Sequence, residues 1–270
     1  MLQAIVLGAA QGLTEFVPVS SSAHLVLLPF LLRWQIPSLA FDVAIHLGTL
    51  VALLVYFGAD LARMVAGAAR TVASRGDDHD RLQARLVLLL ASGSVPAAAA
   101  GILLRDFFEG LFERPTVTAV FLLGTAALIV AGEAVNGRRP PERRRDIDAV
   151  GWWDALAIGL FQALAIAPGI SRSGATIVGG LFRGLARDAA ARFSFLLSIP
   201  AIAGAAVVTV PDVPPGTDWG PTIAATGAAA VTGFVAIVYL LRYLRTRTML
   251  PFAAYCVGFA ALSLTVAAAR

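Results

Sequence analysis

Six stretches of this chain, residues 38–57, 83–104, 116–135, 190–210, 220–241 and 250–269, each run for about twenty residues of mostly apolar sequence. Coiled as an α-helix, a run of that length matches the roughly 30 Å hydrocarbon thickness of a bilayer. Within hydrocarbon every backbone N–H and C=O needs a partner inside the protein, and a helix supplies all of them from its own segment. The pattern therefore predicts an all-α polytopic membrane protein with six transmembrane helices. Composition agrees: 58% of residues are hydrophobic, 14% are charged, and mean hydropathy is +0.79, far from the balance of a water-soluble domain.

Two further stretches, 2–33 and 152–185, are each long enough for two short helices but are interrupted at Pro18 to Ser22 and at Pro168 to Ser173. Broken backbone at membrane depth is tolerated only where it is buried in protein or lines a wet cavity. Both stretches are therefore expected to be re-entrant helix-loop-helix hairpins.

The net charge of +4 and a pI near 10.0 could suggest a nucleic-acid partner, but the positive charge is all Arg and gathers in connectors between apolar runs. That is the distribution the positive-inside rule produces, so no nucleic-acid partner is expected. The connectors 58–82, 136–151 and 242–249 carry these arginines and are predicted to be cytoplasmic; 211–221 has none and should be external, and 105–114 is mixed. These sides agree only if the two hairpins dip in from opposite faces. The expected organisation is one integral membrane domain, 1–270, with halves at about 1–135 and 152–270 joined by a cytoplasmic linker, 136–151. Lacking a basic n-region, the first segment is expected to belong to the mature fold. Cys256 stands alone, which excludes an intrachain disulfide or a multi-cysteine metal site.

A shift of 151 positions sets Ile5, Gly8 and Gln11 against Leu156, Gly159 and Gln162, and Ser20 to Ser22 against Ser171 to Ser173. Each half then holds one hairpin followed by three crossings. Three is odd, so the halves should insert as an inverted repeat, an architecture that places a binding site near the midplane between broken helices.

The polar residues of the hairpins are costly at that depth, roughly 2.5 to 3.5 kcal/mol for a charged side chain on insertion scales, which makes Glu15 and Arg172 functional candidates. In the second hairpin, Ser171, Ser173, Gly169 and Gly174 surround Arg172 ahead of a predicted helix start, with Thr176 on the same helix face. Hydroxyls, close backbone approach, unpaired N–H groups and a guanidinium that forks two oxygens make a phosphate cradle. In the first hairpin, Gln11 and Glu15 share a helix face and offer hard oxygens suited to Mg²⁺ or Ca²⁺. Ser20 to Ser22 follow the break, and His24 lies within reach of Ser21 as a base. Ser20 and Ser22 are equally suited to capping a helix, and His24 to a structural hydrogen bond. Asp42 and His46, four apart, suit either structural pairing or support of the site, as do Ser194 and Ser198 in the other half; His79 reads as a solvated loop residue, and Trp152 and Trp153 as an interfacial belt.

Both patches resemble the two signature motifs of the undecaprenyl-pyrophosphate phosphatase family of bacitracin-resistance type. The first, (E/Q)-x-x-x-E running into P-V-S-S-x-x-H, is matched by Gln11, Glu15, Pro18 to Ser21 and His24. The second, P-G-x-S-R-S-x-x-T, is matched by Pro168, Gly169, Ser171 to Ser173 and Thr176. The resemblance extends over the whole chain. It implies hydrolysis of the C55 isoprenyl pyrophosphate to the carrier-lipid monophosphate and phosphate, dependent on a divalent cation, in the bacterial inner membrane with the site facing the external side. It also implies Glu15, Ser21, His24 and Arg172 as the catalytic set; from the residues themselves, Ser20, Gly169, Ser171, Ser173, Gly174 and Thr176 are the expected substrate contacts, and Glu15 with Gln11 the expected metal ligands. Gln11 stands where many relatives have Glu, which puts its metal role in question. Attack by Ser21 and attack by water both remain open, as does a homodimer. A transporter of a phosphorylated lipid or small anion is the rival reading.

Overall fold

The computed structural model describes residues 1–35, 38–104, 107, 110, 111, 114–213 and 219–270. Among these the chain is helical, with eleven α-helices, three short 3-10 turns and a lone bridge between Arg145 and Leu185. Six helices are long and apolar enough to cross a membrane: α3 (Leu39–Tyr56), α5 (Asp78–Leu103), α6 (Pro115–Gly137), α9 (Arg187–Thr209), α10 (Trp219–Leu244) and α11 (Leu250–Ala268). These are the six stretches expected from hydropathy. Large apolar side chains such as Val55, Val95, Val120, Ile223 and Val231 lie exposed on their outer faces, where only lipid tails would cover them without penalty. The predicted connector 105–114 falls largely outside the described residues, as does the middle of 211–221.

The two interrupted stretches form helix pairs. α1 (Leu2–Phe16) stops at Val17, held extended (φ −64°, ψ 134°) ahead of Pro18, and α2 (Ser21–Leu32) restarts behind Ser20. α7 (Trp152–Leu164) stops short of Pro168 and Gly169, and α8 (Arg172–Phe182) restarts behind Ser171. Both restarts are capped alike: Ser20 Oγ accepts from Ala23 N at 3.3 Å and Ser171 Oγ from Gly174 N at 3.1 Å.

Small residues let each pair sit deep among the long helices. A methyl built on Gly8 would collide with the Ala225 carbonyl of α10, and one built on Gly159 with the Gly93 carbonyl of α5. The tips of the two pairs then meet, Gly169 N donating to Ser22 Oγ and Ser173 Oγ to the Val17 carbonyl, each at 3.3 Å.

The stretch 58–82 is not the loop expected from its charge. It holds α4 (Gly58–Val72), an amphipathic helix that buries Met64 and Gly67, Gly67 lying against Asp80 and Gln83 of α5. Arg70 clamps Asp80 through Nε and Nη2 at 2.8 and 2.6 Å, and Arg192 of α9 pairs with Asp60. The run Asp77 to Asp80 is anchored too, because Asp77 caps α5 through Asp80 N at 2.8 Å; His79 is exposed in that first turn. Besides marking topology, these arginines supply ion pairs that hold α4 in place. In the linker 136–151, Arg145 joins Arg183 on buried Asp154 at 2.9 and 2.6 Å; beyond it, Arg187 clamps Glu133, whose Oε1 also accepts from Met249 N at 2.8 Å.

Candidate active site

Where the tips of α1–α2 and α7–α8 touch, Glu15 from the first half and Arg172 from the second form an ion pair. Glu15 is 6% exposed, so its charge is affordable only with partners around it. It has them: one oxygen takes the Arg172 guanidinium, and the other accepts from Gln11 Nε2 at 2.9 Å and from the Ser21 hydroxyl at 2.5 Å. The nitrogen Nε2 of His46, on α3, stands 4.0 Å from the same oxygen. Arg172 also reaches the Ser198 carbonyl of α9 at 3.4 Å. Gln11, Glu15, Ser21 and Arg172 thus converge, although 157 positions separate the two charged groups.

His24 lies beside this cluster rather than on Ser21. Its Nδ1 meets the Ser20 carbonyl and its Nε2 the Tyr255 hydroxyl, both at 2.7 Å, and its ring stacks on Phe259 at 4.8 Å. A carbonyl only accepts, so Nδ1 carries a proton; in the neutral ring Nε2 then accepts from the Tyr255 hydroxyl. The acceptor on the Ser21 hydroxyl is Glu15, not His24. Ser20 has φ 66°, a left-handed conformation costly for a residue with a side chain, and the His24 ring bonded to its carbonyl helps to hold it there.

The second tip is built around Gly169, at φ 101°, where a side chain would be strained and would meet the Thr118 carbonyl and Phe121. Thr125 of α6 donates to the Gly169 carbonyl at 2.7 Å and accepts from Ser171 N at 2.9 Å. Ser171 and Ser173 hydroxyls lie 3.2 Å apart, and Gly174 packs against the Ser171 side chain. Ser171 serves as the cap, so the first turn of α8 offers an anion the N–H groups of Arg172 and Ser173, the Arg172 side chain and the helix dipole. Thr176 turns away from Arg172's guanidinium: its hydroxyl donates to the Arg172 carbonyl at 2.7 Å and lies 2.5 Å from Ser194 Oγ. Asp42 and His46 are joined through the Asp42 backbone carbonyl, 2.7 Å from His46 Nδ1, not through the carboxylate.

Oxygens suited to a divalent cation are present. Glu15 supplies a carboxylate, and Gln11 Oε1 is a buried acceptor with no hydrogen-bond partner. Among the described residues no group of three His, Cys, Asp or Glu side chains stands together, so a cation here would complete its shell with phosphate oxygens or water. The residues fit such a shared ion rather than a closed cage.

Thr125, Tyr255 and the Ser198 carbonyl belong to this neighbourhood and were not singled out as site residues from sequence. Thr125 and Tyr255 are isolated polar groups within long apolar helices, which is a signal; nothing in their spacing says which tip they touch.

The sequence matches the family described as bacitracin resistance protein BacA over residues 4–262. It is 41% identical over 262 residues to a Streptomyces coelicolor protein named undecaprenyl-diphosphatase 2, covering 94% of this chain and 90% of that protein. It is 42% identical over 267 residues to the undecaprenyl-diphosphatase of Moorella thermoacetica, covering 98% and 97% of the two chains. Against the undecaprenyl-diphosphatase of Geobacter metallireducens it is 42% identical over 260 residues, covering 94% and 93%.

Proposed function

The chain belongs to the bacitracin resistance protein BacA family, and from that membership and the site's geometry we propose that it is a membrane undecaprenyl-diphosphatase, releasing phosphate from the lipid pyrophosphate and returning the monophosphate carrier. The observation that carries this reading is the buried Glu15–Arg172 pair with the Ser21 hydroxyl on the same carboxylate. It joins an anion holder, a base and a nucleophile in one place.

Phosphoryl transfer asks mainly for positioning and for charge stabilisation. The pyrophosphate competes with Glu15 for Arg172, whose fork and the N–H groups of Arg172 and Ser173 hold its terminal phosphate. Loosened from Arg172, Glu15 becomes a stronger base for the proton it already shares with Ser21. In the covalent route Ser21 Oγ bonds to the terminal phosphorus and the bond to the bridging oxygen breaks. The carrier-lipid monophosphate leaves, the Ser21 proton rests on Glu15, and water then cleaves the phosphoserine to free phosphate. In the direct route Glu15 takes the proton from water instead. Turnover in ¹⁸O water with a search for phosphorylated Ser21 separates the two. Glu15 and Gln11 Oε1 would hold a Mg²⁺ or Ca²⁺ ion, which supplies charge neutralisation to the phosphate oxygens when bound. His24, tied to Ser20 and Tyr255, keeps the strained turn that presents Ser21.

In this reading α1–α2 and α7–α8 are re-entrant hairpins of an inverted repeat within one domain, 1–270. Support comes from Ser20 and Ser171 capping in the same way 151 positions apart, and from Gly8 and Gly159 each seating its helix on a backbone carbonyl of a long helix in the opposite half. The arginine-rich connectors support a cytoplasmic linker 136–151, and membership of the family supports a bacterial inner-membrane location with the site opening externally.

Inverted repeats around a midplane anion site also favour a transporter. Purified protein in detergent has no membrane to transport across. Cation-dependent phosphate release there, lost in Glu15→Ala and Arg172→Ala, is the expected result; no release from any isoprenyl pyrophosphate with Mg²⁺ or Ca²⁺ removes the hydrolase reading.

A further inference from the structure

The anion-holding tip is built from Gly169 to Ser173, yet two of its backbone groups are satisfied from α6, more than forty positions away. We propose that Thr125 is the positioning residue of this tip, fixing the turn that aims the N–H groups of Arg172 and Ser173 at the pyrophosphate. The inference deepens the hydrolase reading above and rests on it.

The Thr125 hydroxyl is 1% exposed and does two jobs at once, donating to the Gly169 carbonyl and accepting from Ser171 N. One hydroxyl has one donor and two acceptor sites, so a single side chain can hold both ends of the Gly169–Ser171 turn. The need is specific to this turn. Gly169 has no Cβ to resist rotation, and a flipped Gly169–Ile170 peptide would swing its carbonyl oxygen off α6, break the Ile170 N–H bond to Ala167 and shift the start of α8. Thr125 binds that oxygen on the α6 side, while Ile170 N is held by the Ala167 carbonyl at 3.1 Å. With Ser171 N also taken by Thr125 and Gly174 N by the Ser171 cap, the N–H groups of Arg172 and Ser173 are those left for the phosphate. Thr125 therefore acts on the substrate through the tip and without touching it.

Thr118 supplies a matched comparison. It lies two turns earlier on the same helix, is fully buried, and its hydroxyl has no hydrogen-bond partner. Thr→Val at the two positions removes the same atom from the same helix, but only at Thr125 does it release the tip.

The test measures phosphate release by the detergent-solubilised full chain from an isoprenyl pyrophosphate, with inorganic pyrophosphate as competitive inhibitor. For Thr125→Val the KM and the inhibition constant of pyrophosphate are both expected to rise about tenfold, the scale of one lost hydrogen bond of about 1.4 kcal/mol. Thr125→Ser, which keeps the hydroxyl, should return both to within about threefold of wild type, and Thr118→Val should leave both unchanged. Should Thr125→Val fail to fold, Thr125→Cys carries the test with a smaller rise in both constants, since a thiol is a weak donor and acceptor. A Thr125 variant that loses maximal rate in proportion to folded protein while keeping KM and the inhibition constant is merely less stable, and overturns the proposal. So does a Thr118→Val change as large as that of Thr125→Val. If wild type itself releases no phosphate, the hydrolase reading falls and takes this inference with it; an active wild type with an unaltered Thr125→Val removes this inference alone.

Discussion

The two tips that meet at the site start from the same local device and are held in different ways. Each is a break followed by a Ser that caps the next helix. The second tip has a glycine at its positive-φ position and a hydroxyl from α6 bonded to both ends of its turn. The first has no glycine. Ser20 itself takes φ 66°, and the grip from the long helices is a thiol, Cys256 Sγ at 3.8 Å from the Pro18 carbonyl, together with the Tyr255 hydroxyl acting through His24. The comparison teaches that rigidity and strain are divided between the tips. The second tip, proposed to hold the anion, is relaxed and doubly bonded, while the first, which carries Ser21, has an unfavourable backbone conformation costing of order 1–3 kcal/mol, maintained by its surroundings.

Four substitutions press on that division, in order of expected effect. Arg172→Lys keeps the charge but loses the fork that spans phosphate oxygens; kcat/KM should fall about a hundredfold or more while the protein still folds, and near wild-type turnover would displace Arg172 from the centre of the mechanism. Gly169→Ala forces a side chain into the left-handed region, at about 1–2 kcal/mol, and into the Thr118 carbonyl. Activity should drop by tens of fold with a lower melting temperature, and a variant equal to wild type in both would show that the second tip is not rigid. Tyr255→Phe removes one hydrogen bond from His24, about 1 kcal/mol, and should cost roughly fivefold in kcat with KM little altered, because the first tip serves the reaction more than binding. Cys256→Ala removes a weak donor and should change kcat/KM less than about twofold; a large loss would mean that the first tip leans on α11 as heavily as the second leans on α6.

Much of this arrangement is visible in the sequence. The six crossings follow from apolar runs, and the two interruptions from Pro18 and from Pro168 with Gly169. The pairing of Glu15 with Arg172 follows from the cost of leaving either alone in an apolar setting. What escaped notice has a common cause. The arginines of 58–82 read as a topology signal in sequence, while in the fold Arg70 pairs with Asp80 across helices and so helps hold α4. Three-residue spacing on one helix suggests His24 as the base for Ser21, but the turn at Ser20 sends the His24 ring to the Ser20 carbonyl and leaves the hydroxyl facing Glu15. Thr125 and Tyr255 carry no motif around them, so spacing along the chain offered no reason to choose them.

Sequence alone determined that this chain is helical, multi-crossing and broken twice, because the need to satisfy backbone hydrogen bonds away from water is a property of each segment by itself. It also determined which charges had to find partners. Only the tertiary structure decided which partner each polar group received: Glu15 for Ser21, Tyr255 for His24, Thr125 for the anion tip. A hydrogen bond between residues tens to hundreds of positions apart is chosen within a few tenths of an ångström, and that tolerance is set by how glycines and alanines let helices approach, a sum over the whole packing that no local pattern contains.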